Sequence, residues 1–420
     1  MEKLLVLGAT CRAVTEIINE AKSRGFYTII TDNNPVDRAP VKLLADEYWM
    51  ISTTATDELE IKCREEGITA VTHGISAFNI ELVMKLCSRL GLSHYATPES
   101  WKYTIDKRAF KDLCKRNDVP VAKDYYVSTS PTREELEIIE FPVVVKANNL
   151  SGNRGMSYCN SIEEVVKGCE YARKLSKCDE VIVEKRLRGR EYAAWYVLAD
   201  GEIQLLGLYA MISPSGYPEN YYSISTTCTD RKEQYLAEVN PFLINALKDA
   251  GCREGVCWVE LMADDDDHLY ALEMGYRLSG DMLATPFKNV YEFDAYEWLL
   301  DIAAGIQHKA KDLPENAYSK ENGYAVSYIL WSSEGGIITD ISGYERITII
   351  PGLNVDSRLK VGDSVIKGQY LSVITFTAKS CEEECEIIKI INENITIKNE
   401  KKDIVVRFID FDVLKNMQCS

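Results

Sequence analysis

No apolar run in this 420-residue chain approaches the roughly 20 residues needed to cross a bilayer, so no helical membrane span is expected. Basic charge is also in short supply: 48 Lys and Arg against 65 Asp and Glu leave a net charge of −17. Nucleic acids are bound by basic faces that displace phosphate counterions, which this balance argues against. It leaves ATP open, since ATP needs only a local basic pocket and a metal. Cysteine occurs thirteen times but never as CxxC, and the closest pair is Cys381 and Cys385. An odd count without a spaced framework predicts reduced thiols and a cytoplasmic protein. The opening MEKLLVLGATCRAV has an acid at position 2 and only a short apolar stretch, so it reads as a buried strand and not as a signal peptide. After that strand a dinucleotide site would need GxGxxG, yet Gly8–Ala13 reads GATCRA and supplies only the first glycine, which counts against a dehydrogenase. The run Asp264–Asp267 lacks the spacing, the glycine and the closing glutamate of an EF-hand, and is expected to be a solvated turn.

What is present is ordinary for a globular chain: 46% hydrophobic and 27% charged residues, with no low-complexity segment. The length exceeds what one core can serve and predicts two or three domains. Strands at Lys3–Gly8, Tyr27–Thr31 and Ala70–Thr72 alternate with helices at Arg12–Ser23, Leu59–Glu66 and Phe78–Leu90, the pattern of a parallel sheet. Asp32 and His73 fall at strand C-termini, where open α/β sheets bind ligands, although each also reads as a loop residue or cap. Thr97-Pro98-Glu99 is a helix start, and that helix should carry Asp106 and Lys107 and end near Asn117. Past residue 100 the order becomes mixed, with a helix at Ile162–Leu175 and strands at Glu180–Lys185, Tyr192–Leu198 and Ile203–Tyr209. After residue 307 it changes again. Tyr324–Trp331 and Ile337–Ile341 read as a hairpin, followed by short strands, a helix near Cys381–Asn392 and a strand Ile404–Ile409. The fold class expected is α/β and α+β, in units 1–100, 101–307 and 308–420. The last should have little core of its own and pack as a lid or as the contact of a homodimer. Its segment LKVGDSVIKGQYL is similar to the turn of a biotinyl or lipoyl carrier, but lacks the Met-Lys dipeptide for attachment and reads as a structural turn.

The stretch Phe141–Met156, FPVVVKANNLSGNRGM, ends an apolar strand on Lys146 and opens into a small glycine-bearing loop. Backbone N–H groups of such a loop can approach a polyphosphate, and the lysine adds a point charge. The lysine precedes the glycines, so this is not the GxxxxGK[ST] loop. Alone, the stretch is equally a strand followed by a surface loop. A second pattern is sharper. Gly255–Met262 and Leu269–Met274 are apolar strands flanking the aspartates. A hairpin centred between Asp266 and Asp267 puts Glu260 opposite Glu273, Leu261 opposite Leu272 and Met262 opposite Ala271. Two opposed carboxylates among apolar neighbours repel and are costly to bury unless a cation such as Mg²⁺ lies between them; the other reading is two solvent-facing glutamates. Arg277, four residues on, would add a planar phosphate donor.

Taken in order, these residues resemble the ATP-grasp superfamily, of the arrangement shared by carbamoyl-phosphate synthases and biotin carboxylases, over roughly residues 1–310. The resemblance implies a Rossmann-like domain over 1–100, a two-lobed ATP-grasp domain over 101–307 and a small C-terminal α+β domain. It implies that Lys107 and Lys146 hold the ATP phosphates and that a small loop, including Ser151, Gly152 and Gly155, closes over them. Glu184, Lys185 and Leu187 in VIVEKRLRGREYA would meet adenine, and Glu191 the ribose. Glu260 and Glu273 would be the metal acids and Arg277 the catalytic arginine beside the transferred phosphate. One departure stands out: the family's Glu-x-Asn-x-Arg reads Glu273-Met274-Gly275-Tyr276-Arg277 here, which removes one ligating oxygen. The implied reaction uses ATP and Mg²⁺ to activate a small-molecule carboxylate as an acyl phosphate, which an amine then attacks. A purine-pathway or carboxylase-type enzyme is a near variant, and a non-catalytic ATP-binding module is the reading from another class. Cys11 has no matched histidine and reads as a free core thiol.

Overall fold

The apolar strands at the start of the chain stack side by side because amphipathic helices carry the chain back over them. In the computed structural model, which describes residues 2–150, 152, 154–176, 179–214, 222–227, 229, 231–314, 322–411 and 414, β1 (Lys3–Leu7), β2 (Tyr27–Thr31), β3 (Glu47–Trp49) and β4 (Ala70–His73) form a parallel sheet of order β3-β2-β1-β4. Helices α1 (Val14–Ser23), α2 (Thr56–Glu66) and α3 (Ala77–Leu90) accompany it. The one glycine of GATCRA is structural. Gly8 has φ 90°, and a Cβ there would lie 2.0 Å from Asn79 Nδ2. Asp32 accepts from Ala9 N at 3.1 Å. His73 is buried, its ring Nδ1 is 2.7 Å from Gly74 O, and burial pushes its pKa down to about 3. Both strand-end residues therefore serve the sheet.

The helix expected from Thr97 to Asn117 is two helices. Thr97 caps α4 (Pro98–Ile105) with a complete capping box, and Asp106 then breaks the run by capping α5 (Lys107–Arg116). A second sheet follows, of β5 (Asp124–Tyr125), β6 (Val143–Ala147), β7 (Ser157–Cys159) and β8 (Val181–Lys185), antiparallel in the order β5-β8-β6-β7. Val143, Val145 and Val183 pack with Val165, Cys169 and Ala172 of helix Ile162–Ser176 as its own small core.

The third sheet is the largest. It holds β9 (Glu191–Ala199), β10 (Glu202–Ile212), β11 (Ile224–Thr226), β12 (Gly255–Ala263) and β13 (Leu269–Gly275). It continues without a break into β14 (Tyr324–Ser332), and beyond it β16 (Asn354–Ser357) and β18 (Tyr370–Ala378), in the order β13-β12-β9-β10-β11-β14-β18-β16. Between these last strands in the chain come β15 (Gly336–Ser342), β17 (Ser364–Val365) and, further on, β19 (Thr396–Asn399), which make a three-stranded sheet of order β17-β15-β19. Two expectations fail here. The strands at 324–332 and 336–342 are no hairpin: β14 pairs with β11 and β18, while β15 pairs with β17 and β19. Nor is the end of the chain short of core. Val326, Tyr328, Leu330, Phe376, Ile388 and Ile391 are buried in a cluster that also takes in Ile212 and Ile224. Long-range pairing outcompetes the local turn because it buries both faces.

Arg12 and Arg358 tie the first and last parts together. Arg358 donates to the carbonyls of Thr10 and Cys11, and the Arg12 guanidinium lies 3.7 Å from the Tyr370 ring centroid while bonding Gly280 O. A chain ended at residue 310 would make β11 an edge strand and uncover Ile212 and Ile224. It should lose about 3–6 kcal/mol from those two side chains alone and should aggregate through the open edge. Urea midpoints and size-exclusion profiles of the two lengths test this, and an equally stable, monodisperse short form would contradict it.

Candidate active site

In the small sheet Val144 pairs with Glu184, and Lys146 with Ile182. Alternation then puts Lys146 and Glu184 diagonally on one face, where Lys146 Nζ meets Glu184 Oε1 at 2.5 Å. The other Glu184 oxygen accepts from Lys111 Nζ. Burial alone would raise the Glu184 pKa, but the two ammonium groups outweigh it and hold it at about 2. Burial opposes the charge of Lys146 too, yet Glu184, followed by Glu273 and Glu260, holds its pKa above the ordinary value. Lys111 was missed in the sequence. Its signal is there: it sits four residues after Lys107, on the same face of one helix.

Asp106 decides where Lys107 points. Its carboxylate accepts from Ala109 N at 2.8 Å, which makes Lys107 the first residue of α5. The helix's free N–H groups are then met by the segment after β6: Lys107 N donates to Asn148 O at 3.2 Å and Arg108 N to Asn148 Oδ1 at 2.8 Å. From this anchored turn Lys107 Nζ reaches both Leu150 O and Glu273 Oε2, each at 2.8 Å.

Glu260 and Glu273 are directly opposed on β12 and β13. The expected register holds from there back to Trp258 and Gly275, but not toward the turn. Leu261 pairs with Ala271 instead of Leu272, and Met262 with Tyr270. The extra residue is a β-bulge, and it lets the adjacent Leu272 and Glu273 both reach the same cavity. Burial and the nearby Glu273 and Glu191 charges push the Glu260 pKa well above its ordinary value. Burial acts on Glu273 as well, but Lys107, with Lys146 and Arg277 behind it, holds that carboxyl low. The aspartate run is a turn: Asp264 Oδ1 accepts from Asp266 N at 3.0 Å and His268 N at 2.9 Å, although Asp264, Asp266 and His268 offer ligand atoms within 4.8 Å of one another.

These groups converge on a cavity of about 460 Å³. Lys107, Lys146, Gly152, Glu184, Lys185, Leu187, Glu191, Glu260 and Glu273 all line it. Gly155 and Arg277 do not. Gly155 (φ 74°) faces Ala147 and Ala172 beneath the loop, and Arg277 lies beyond the carboxylate pair, with its guanidinium 4.9 Å from the Trp258 ring centroid. Ser151 falls outside the described residues. Glu191 sits in one row with Met211 and Met262 across three strands. Those methionines join Val144, Met156 and Leu187 in giving the slot apolar walls, suited to a planar ring, at the end away from the ion pairs. The Cys11 thiol accepts from Ser76 N at 3.1 Å, and burial raises its pKa.

The family pattern described as "Carbamoyl-phosphate synthase L chain, ATP binding domain" matches residues 106–308, the span that supplies every residue of this cavity. Over those residues the chain matches the ATP-grasp superfamily. It is 26% identical over 346 residues to the 2-oxoglutarate carboxylase small subunit of Hydrogenobacter thermophilus, covering 73% of this chain and 68% of the relative. It spans about a quarter of the carbamoyl phosphate synthase large chains that it matches, at 26% of their length. Among solved structures, the L-amino acid ligase of Bacillus licheniformis superposes with a TM-score of 0.78 at 17% identity over 95% of this chain and 99% of that one. The biotin carboxylase domain dimer of the H. thermophilus 2-oxoglutarate carboxylase, solved with MgADP and bicarbonate, gives 0.76 at 21% identity over 100% and 94%. No helix among the described residues is long and apolar enough to cross a membrane.

The Glu184 network makes the ATP-grasp lobe acid-sensitive. A carboxyl depressed to about 2 contributes stability that is complete above its unfolded value near 4.5 and is lost as pH falls from there toward 2. Glu184→Gln should therefore cost about 3 kcal/mol at pH 7 and much less at pH 2. Urea unfolding of both proteins across that range measures the difference; a penalty independent of pH would mean that the two lysines do not set the Glu184 charge.

Proposed function

We propose that the cavity binds ATP with Mg²⁺, and that the protein transfers the γ-phosphate to a small-molecule carboxylate and joins the acyl group to an amine. The observation that carries this reading is the convergence of Lys107, Lys146 and the Glu260–Glu273 pair on one cavity with apolar walls. Lys107 and Lys146 would bind the phosphates, trading carboxylate partners for phosphoryl oxygens. Gly152 and the loop around Ser151 and Gly155 would cover them. Glu184, Lys185 and Leu187 would border the base, and Glu191 would take the ribose. Two opposed carboxylates, one of them pushed toward its neutral form, are the donor set of a hard cation, so Glu260 and Glu273 fit Mg²⁺. When bound, Mg²⁺ would neutralise phosphate charge during transfer. Arg277 would face the transferred phosphoryl group from beyond the pair. No side-chain nucleophile is needed. The lysines and arginine hold charge in place while the carboxylate oxygen attacks phosphorus, ADP leaves, and an amine displaces phosphate from the acyl carbon.

The same reading divides the chain into a Rossmann-like unit over 1–100, an ATP-grasp domain over 101–307 and a C-terminal α+β unit over 308–420 that shares the large sheet and serves as lid or dimer contact. No disulfide joins the ten described cysteines of the chain, in keeping with a reducing cytoplasm. A carboxylase-type variant with bicarbonate as the acid is the near alternative, favoured by the full-length likeness to a biotin carboxylase domain.

Phosphate release from ATP, screened against amino acids, other small carboxylates and bicarbonate with and without amines, tests the reaction. ADP should form only when an acid is supplied, and strict ATP binding without any turnover would leave a nucleotide-binding module. Lys146→Ala should weaken ATP binding about 10- to 100-fold by calorimetry while the fold survives, because Lys111 still neutralises Glu184. Mg-ATP should raise the melting temperature more than ATP with EDTA. Glu273→Gln should shrink that difference and Asp266→Asn should not; the reverse result would move the ion to the aspartate turn.

A further inference from the structure

One rung behind the carboxylate pair, Trp258 of β12 faces Gly275 of β13. Residues two apart on a strand share a face, so the indole stands on the same side of the hairpin as Glu260 and Glu273. On its other flank Trp258 is paired with Trp195 of β9, whose ring is engaged with Phe287 at 5.1 Å. Room is left only over Gly275, and the indole takes it. A Cβ at position 275 would lie 2.2 Å from both Cε2 and Cζ2 of Trp258 and 2.6 Å from its Nε1. Gly275 is not among the positive-φ residues, so the strand does not need glycine for its backbone; the space does. Among the described residues the buried indole N–H has no hydrogen-bond partner, and packing sets the ring's orientation.

Arg277 depends on that ring. Its backbone is fixed by the neighbouring residue: Tyr276 N donates to Thr104 Oγ1 at 3.0 Å, and Tyr276 OH bonds Glu254 O at 2.5 Å. The side chain is held less firmly. Nη1 donates to Leu278 O at 2.7 Å, Nε is buried without a partner, and no carboxylate pairs with the guanidinium among the described residues. The remaining support is the Trp258 face, 4.9 Å away, a distance at which a desolvated guanidinium is attracted to an indole.

We infer that Trp258 is a positioning residue, holding the Arg277 guanidinium beside the Glu260–Glu273 pair, and that Gly275 is glycine so that the indole can lie across the neighbouring strand. The inference rests on the role proposed for Arg277 at the transferred phosphoryl group and adds what keeps it there.

Two measurements on the full chain test it. The first needs no ligand: thermal unfolding of Gly275→Ala, Trp258→Leu and the double variant. Gly275→Ala should lower the midpoint in the native background and not in the Trp258→Leu background; an equal loss in both overturns the packing argument. The second is binding of orthovanadate, as a stand-in for the transferred phosphoryl group, to the Mg-ADP complex. Trp258→Leu should weaken it about 3- to 30-fold with Mg-ADP affinity unchanged, Trp258→Phe should restore most of the loss, and Trp258→Leu should add nothing to Arg277→Met. Losses that multiply in the double variant, or a Trp258→Leu variant that binds vanadate normally, overturn the positioning role. Failure of the native protein to bind Mg-ADP would instead overturn the ATP site, and with it the role of Arg277, while the unfolding cycle still decides the packing.

Discussion

A buried charge must be paired or it will not stay charged, and the centre of this protein is an exercise in that constraint. Lys111, Lys146 and Glu184 satisfy one another at the floor of the cavity, and Lys107 and Glu273 do so at its side. The five groups come from four elements: α5, β6, β8 and β13. The elements must therefore sit within ångströms of their present places, or several ions lose their partners at a cost of several kcal/mol each. Glu260 is the exception. Among the described residues no ammonium group pairs with it, and burial with the Glu273 and Glu191 charges drives it toward the neutral form.

Which parts of this were visible in the sequence follows from range. Three strands of the first parallel sheet were legible because βα alternation is local, and β2 has the bounds that its apolar run suggests, whereas the three-residue edge strand β3 was not foreseen. The opposition of Glu260 and Glu273 was legible because a short acidic turn fixes a hairpin's register, although the bulge at Leu272 was not, since nothing in LYALEM marks which residue is extra. The break at Asp106 was hidden because α4 and α5 together keep a helical rhythm, and only the aspartate's use as a cap ends it. The pairing of β14 with β11 and β18 was beyond reach: two apolar runs separated by Gly335-Gly336 look like a hairpin until partners more than 40 residues away are present.

The solved structures that superpose on this chain bear names of quite different enzymes, among them an amino acid ligase and a phosphoribosylglycinamide synthetase. Likeness at this level of identity speaks of fold. Past the carboxylate pair, Trp258 and Gly275 share one rung between the pair and Arg277. Bulk on one strand is matched by its absence on the other.

The contacts at the start of α5 have a mechanical consequence. Asn148 grips the first turn of that helix through both its carbonyl and its side chain, and Arg108 reaches across to Asp124 of β5. The small sheet is thereby riveted at one edge to a helix that packs on β13 of the large sheet. A rotation of the small sheet that keeps these bonds must pass its axis close to Lys107. The mouth of the cavity can then swing widely while the ammonium group at the axis hardly moves, much as a door leaves its hinge pin in place.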